Sequence, residues 1–288
     1  KVGTLAKWSL AYVIVNQIGI WVVKALANGV QGGVAAYDNS FLIYSLPYGI
    51  VAVSVFTALV PSLAEHHVKA DYAAFREDFS LGLRMTSFVI LPASAGLVAL
   101  SQPVIRLLLE HGTFSSESTR LFADTFAFMT IGLAAYAAFQ QMNRAFYSMQ
   151  DARTPWFAKS IGVAVNVATA VPLFLILGVP GLGLSHTFSY LTALTVAAMI
   201  LRTRAGGLGG RELVTWHLKV AGASVATGLT AWGVASLVGA QVQLETLGGQ
   251  IAQVGSAILA GIVVYLAITA AARLPELGRL ISTARRVI

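Results

Sequence analysis

The sequence predicts an all-α polytopic membrane protein with eight transmembrane helices, and three observations carry that reading. Of 288 residues, 57% are apolar and only 11% are charged, less than half the charged share of a soluble globular domain; the mean hydropathy is +0.75. The stretch from Ser160 to Leu201 holds no Asp, Glu, Lys or Arg. At about 20 residues per bilayer crossing it is long enough for two spans. The third observation is charge placement. With the N-terminus in the cytoplasm, all but Lys24, Arg106 and Arg120 of the 19 Lys and Arg fall on the inner side, as the positive-inside rule requires. Soluble enzymes, disordered chains and nucleic-acid-binding domains are excluded. The net charge of +7 reflects Lys and Arg at cytoplasmic helix ends, Lys159 among them, so no nucleic-acid partner is expected.

The spans are placed at 8–27, 40–64, 81–101, 121–141, 156–177, 182–201, 218–238 and 251–272. Between the fifth and sixth, Gly178-Val179-Pro180-Gly181-Leu182-Gly183 reads as a turn, since Pro fixes φ and the Gly after it is conformationally permissive. Pro47 and Pro92 lie inside the second and third spans, where a missing N–H frees a carbonyl and bends the helix. Trp8, Trp21, Trp156, Trp216 and Trp232 sit near span ends, as an aromatic belt would. Two segments read as surface-lying: 103–110, with Arg106 and Glu110, and the tail 273–288. The tail sets Leu277, Leu280, Ile281 and Ala284 against Arg279, Ser282, Arg285 and Arg286. The domain reading is 1–204 as six spans, 205–272 as two further spans, and 273–288 as a basic interfacial tail or a linker to a cytoplasmic domain. The chain begins at Lys1 rather than Met, which points to a natural start further upstream. Cysteine is absent, so disulfides and thiolate chemistry are not expected.

Intramembrane polar groups cost free energy unless paired or wetted, which makes them the functional candidates. The first span carries Asn16, Gln17 and Lys24. Gln17 and Lys24, seven residues apart, share a face about 10 Å apart along the axis. Lys24 either snorkels to the outer headgroups or faces a water-filled cavity and meets an anionic substrate. Asp38, just outside the second span, reads as an exposed loop carboxylate. Gln140, Asn143, Arg144 and Tyr147 recur at helical spacing near the cytoplasmic end of the fourth span, with Arg144 favoured as an interface anchor. Asn166 in the fifth span faces a sixth carrying Ser185, His186, Thr187 and Ser189. Asn166, Ser185 and Thr187 could supply oxygens to a small ion, or simply lock two helices by hydrogen bonding. No metal-ligand spacing, phosphate loop or nucleophile elbow appears. No catalytic residue, cofactor or resident metal is expected, and helices bent around a polar cavity suit a transporter, although a purely structural membrane protein could tolerate them.

Three stretches resemble the MurJ (MviN) family. They are Leu46-Pro47-Tyr48-Gly49-Ile50-Val51-Ala52-Val53 running on to Thr57-Ala58-Leu59-Val60-Pro61-Ser62-Leu63; His111-Gly112-Thr113-Phe114 followed by Arg144-Ala145-Phe146-Tyr147-Ser148-Met149-Gln150-Asp151-Ala152-Arg153-Thr154-Pro155; and Gly181-Leu182-Gly183-Leu184-Ser185. The resemblance implies a 14-helix transporter of the multidrug/oligosaccharidyl-lipid/polysaccharide superfamily, resident in the bacterial plasma membrane. Such proteins move lipid II, the undecaprenyl-pyrophosphate-linked peptidoglycan precursor, between leaflets. Two six-helix lobes enclose a cationic cavity and two extra helices form an apolar groove for the lipid tail. This chain would then be the C-terminal half, with both of its ends cytoplasmic. Its implied partners are an N-terminal lobe, lipid II, membrane lipids, and a cytoplasmic regulatory domain or cell-wall and division proteins. The family often carries a cavity arginine before the proline of the second span; here Phe41-Leu42-Ile43-Tyr44-Ser45 holds no basic residue, which directs attention to Lys24. Asn16, Gln17 and Asn166 stand where some members place sodium-site carboxylates. Two other readings are weighed. One is an exporter of another polyprenyl-linked sugar or of drugs, and the other is a non-transporting scaffold for cell-wall machinery.

Overall fold

Long apolar runs leave the backbone no solvent partner in a bilayer, so the N–H and C=O groups must bond within the segment. In the computed structural model, which describes residues 2–110 and 116–278, every regular element is helical. The His111–Phe114 motif and residues 279–288 of the tail, with Arg279, Arg285 and Arg286, lie outside the described residues.

The first span is α1 (Val2–Ala27). The second is a bent pair, α2 (Gly33–Pro47) and α3 (Val53–Val68), joined by a π-helical turn (Tyr48–Ala52) with 56° between the two arms. The third is α4 (Tyr72–Ala99), followed by the short α5 (Ser101–Leu109). The fourth is also bent, by 48°, between α6 (Ser116–Thr130) and α7 (Leu133–Ser148). Then come α8 (Arg153–Leu177), α9 (Val179–Arg204), α10 (Gly210–Gly239) and α11 (Leu247–Ala271). Among the described residues, six helices are long and apolar enough to cross a membrane singly, or eight spans if each bent pair counts as one. Large apolar side chains such as Trp21, Leu175, Leu229 and Val263 stay exposed on the outer surface, as a lipid-facing surface requires.

Several sequence expectations are corrected. The second span begins at Gly33, so Asp38 is a helical residue and not a loop carboxylate. The break after the fifth span is Gly178 alone, at φ 67°. Pro180 and Gly181 already belong to the first turn of α9, where a proline gives up no helical hydrogen bond. Pro47 does precede a bend, but α4 runs through Pro92 without a break. The carbonyl that Pro92 frees, that of Phe88, accepts a hydrogen bond from Tyr265 Oη of α11 at 2.5 Å. Trp216 is not in an aromatic belt: it is buried, and its Nε1–H donates to Glu276 Oε2 at 2.9 Å. That bond, with Leu274 and Leu277 packed on the Phe88–Trp216–Tyr265 cluster, docks the start of the tail on the bundle.

A second bend, for which the sequence gives no local signal, sits at Ile131-Gly132. The carbonyls it releases are met from two neighbouring helices. Thr187 Oγ1 of α9 donates to Phe128 O at 2.8 Å, and Ser94 Oγ of α4 donates to Thr130 O at 2.6 Å. Gly132 is required there, because a Cβ would stand 2.7 Å from Thr187 Oγ1. One buried cluster runs through α1–α9. The pair α10–α11 packs on α4 and α5 through two smaller clusters of its own.

Candidate functional site

Five helices turn polar or aromatic faces onto one cavity of about 370 Å³. From α1 come Tyr12, Asn16, Gly19, Ile20 and Lys24, largely an i, i+4 row. Tyr37, Asp38 and Phe41 come from α2, and Tyr136 and Gln140 from α7. Lys159, Val163 and Asn166 come from α8, and His186, Ser189 and Tyr190 from α9. In each helix the spacing of three, four or seven keeps these residues on one stripe. The packing of α1 on α8 is marked by the Trp8 and Trp156 rings, 4.7 Å apart, and by Gly19 against Val163 and Asn166. By that register Lys24 and Lys159 sit at opposite ends of the cavity, about 15 Å apart along the axis.

At one end Lys24 Nζ meets Asp38 Oδ2 at 2.8 Å, with both side chains close to half exposed. At the other end Lys159 is only 3% exposed. Its Nζ donates to Tyr190 Oη at 2.9 Å and lies 4.0 Å from the centre of that ring. Among the described residues no carboxylate lies within ion-pair distance of it. Between the two ends the wall is aromatic. His186 contacts the rings of Tyr37, Phe41, Tyr44 and Tyr190, and Tyr136 contacts those of Tyr44, Tyr48 and Tyr190. His186 Nδ1 is 3.3 Å from Tyr37 Oη. At the floor, Asn143 Nδ2 donates to Gln140 Oε1 at 3.1 Å and to Tyr12 Oη at 3.4 Å. Asn166 Nδ2 donates to Ser185 Oγ at 3.2 Å, tying α8 to α9.

A second cavity, of about 440 Å³, lies on the other side of α4. It is walled by Phe88, Pro92, Leu97 and Leu100 of α4 and α4's junction with α5, by Thr227 and Ala231 of α10, and by Ala257, Ile258, Gly261 and Tyr265 of α11. Among the described residues no charged side chain lines it. Helix α2 reaches both cavities, contributing Phe41 to the first and Pro47 to the second.

The family model for "Lipid II flippase MurJ" matches residues 1–268. The chain belongs to the MurJ family. It is 33% identical over 168 residues to a probable lipid II flippase MurJ of Rhizobium meliloti, covering 58% of this chain and 31% of that protein. Against the corresponding protein of Vibrio cholerae it is 27% identical over 258 residues, covering 81% and 47%. A solved structure of lipid II flippase MurJ in an inward closed conformation superposes with a TM-score of 0.72 at 24% identity, covering 90% of this chain and 51% of that one. A transporter from Pyrococcus furiosus, described as one of the MOP superfamily, superposes with a TM-score of 0.55 at 14% identity, covering 92% of this chain and 62% of that one, a likeness of fold. The chain thus spans between about a third and a half of the length of these MurJ relatives, and it is a multi-pass membrane protein.

Against this MurJ framework, the residues singled out from sequence divide. Asn16, Lys24, Gln140 and Asn166 line the cavity, and Asn143 braces Gln140 from behind. Gln17 is exposed and does not line it. Arg144 points instead to the junction of the π-helical turn and α3, its Nη1 3.5 Å from Val53 O. The trio Asn166, Ser185 and Thr187 does not converge. Residues 185 and 187 lie about 200° apart around the helix, so Ser185 faces α8 while Thr187 faces the α6–α7 bend. Lys159 escapes the sequence reading because it counts among the cytoplasmic-side basic residues. The signal is nonetheless present: Lys159, Val163 and Asn166 form an i, i+4, i+7 stripe inside the span as drawn.

Proposed function

We propose that the protein carries lipid II from the inner to the outer leaflet of the bacterial plasma membrane by alternating access, without covalent chemistry. In this reading residues 1–204 form the second lobe of the transporter, 205–272 the pair that receives the lipid tail, and 273–288 a basic tail. Both ends lie in the cytoplasm. The observation that carries it is the juxtaposition of two unlike cavities in a MurJ-family chain. One bears charges, amides and tyrosines; the other is apolar, and α2 borders both. A polyprenyl-linked saccharide has the same division between a polar anionic head and a hydrocarbon tail. An isolated ion or a purely apolar drug would use only one of the two. Asn16, Gln140 and Asn166 supply neutral hydrogen-bonding groups for the head.

The test is depletion and rescue in the native bacterium, reading outer-leaflet exposure of labelled lipid II. Exposure should fall on depletion and return with the wild-type gene. The double change Asn16→Leu with Gln140→Leu should insert normally yet fail to rescue. Unchanged exposure on depletion overturns the reading and favours a scaffold or another exported lipid.

A further inference from the structure

The cavity holds two lysines, and their surroundings differ in a way that assigns them different work. Lys24 already has a counter-ion: Asp38, at 2.8 Å. Among the described residues that carboxylate is the one acidic side chain lining the cavity, so the Lys24–Asp38 pair contributes no net charge. Lys159 has no such partner among the described residues, and it is the more deeply buried of the two. It cannot be a snorkelling anchor, because a side chain only 3% exposed does not reach the headgroups. Its ammonium carries three donors. Tyr190 Oη takes one, while the Tyr190 ring lies beneath the charge. An aromatic face and one hydroxyl stabilise a desolvated ammonium far less than a carboxylate does. A buried charge left in that state is the arrangement that an incoming anion completes.

We propose that Lys159 is the anion-binding residue of this cavity, taking the phosphate or pyrophosphate oxygens of a lipid-linked substrate, and that Lys24 is not. The inference rests on the transport reading above for its substrate class. Tyr190 acts as a positioning residue: it holds Nζ against the α9 wall, facing the space bordered by Tyr12, Tyr136 and Gln140. The Lys24–Asp38 pair then bridges α1 and α2 at the far end of the cavity. No basic residue is needed before Pro47, because the charge sits on α8.

The experiment compares undecaprenyl pyrophosphate with undecaprenol, which shares its tail and lacks its charge. Binding of each to the purified full-length gene product in nanodiscs is read by native mass spectrometry. Lys159→Met should weaken undecaprenyl pyrophosphate by about tenfold or more, the loss expected for a charge-assisted hydrogen bond, and leave undecaprenol unchanged. Lys159→Arg should stay within a few-fold of wild type, and so should Lys24→Met combined with Asp38→Asn. If Lys159→Met does not assemble, Lys159→Gln, which can still bond Tyr190, carries the same comparison. Wild-type affinity for the pyrophosphate lipid in the Lys159 variants overturns the proposal, and so does an equal loss for both lipids, which would mark a packing role. The leaflet assay separates this from the transport reading. If the wild type moves no lipid II but charge-selective binding still depends on Lys159, the anion site stands and the substrate assignment falls. If Lys159→Met moves lipid II at the wild-type rate, the reverse holds.

Discussion

The two cavities are of similar volume and are built from helices of similar hydropathy, yet one tolerates buried polarity and the other excludes it. In the first, several polar groups meet a partner on another helix: Asn166 with Ser185, Asn143 with Tyr12, His186 with Tyr37, Lys24 with Asp38. In the second, the polar atoms are turned back on the backbone. Thr227 Oγ1 donates to Ala223 O of its own helix, and Tyr265 Oη caps the Phe88 carbonyl freed by Pro92. Polarity inside a membrane bundle therefore depends less on how apolar a helix is on average than on whether a facing helix answers each group.

The strongest way to break this comparison is to move a lysine across it. Ala257, fully buried where α11 meets α10, has no Tyr190 beside it. Ala257→Lys should cost about 3 kcal/mol and lower the yield of assembled protein, read by size-exclusion chromatography in detergent. A lysine accepted there as readily as at 159 would show that the partners are incidental. Next comes the bend between α6 and α7. Thr187→Val keeps the shape but removes the hydroxyl from the Phe128 carbonyl, and should lower stability by about 1–2 kcal/mol in thermal unfolding. An effect below the error of that measurement would mean that the released carbonyl finds another donor.

A smaller effect is expected outside both cavities, at the turn before α8. Burial of Asp151 favours its neutral form. That is outweighed by the Thr154 hydroxyl and backbone N–H, the Arg204 guanidinium and the Arg153 N–H, which together hold its carboxyl below the ordinary aspartate value. A carboxylate depressed in the folded state contributes stability above its unfolded pKa and loses it as pH falls through the folded one. Melting temperature should therefore decline on acidification below the usual aspartate range, and Asp151→Asn should remove that part of the slope at a cost of about 1 kcal/mol near neutrality. Smallest of all, Asp38→Asn should change thermal stability by less than about 1 kcal/mol, since the pair it breaks is nearly half exposed. A larger drop would mean that the α1–α2 bridge contributes more than a half-exposed ion pair ordinarily does.

Span number and order were legible because hydropathy and the distribution of Lys and Arg are properties of single segments. Bends were legible only where the cause is local. Pro47 announces the π-helical turn, but nothing near Gly132 announces the second bend, because its carbonyls are answered by Thr187 and Ser94 from far along the chain. The cavity was half legible. Asn16, Lys24, Gln140 and Asn166 stand out as polar residues in apolar runs. Lys159 did not, since a basic residue three positions after a predicted span start is indistinguishable by counting from one that reaches the headgroups. Asp38 was misplaced for a related reason: placing the span start late turned a lining residue into a loop residue.

The single glycine between α8 and α9 has a mechanical consequence. Helices of 25 and 26 residues joined by one residue have no slack, so neither can slide or rotate far without dragging the other. Lys159, Asn166, His186, Ser189 and Tyr190 are then fixed to one stiff plate. Within this chain, opening and closing of the cavity then falls to the helices opposite, α1, α2 and α7, of which α2 ends and α7 begins at a built-in bend.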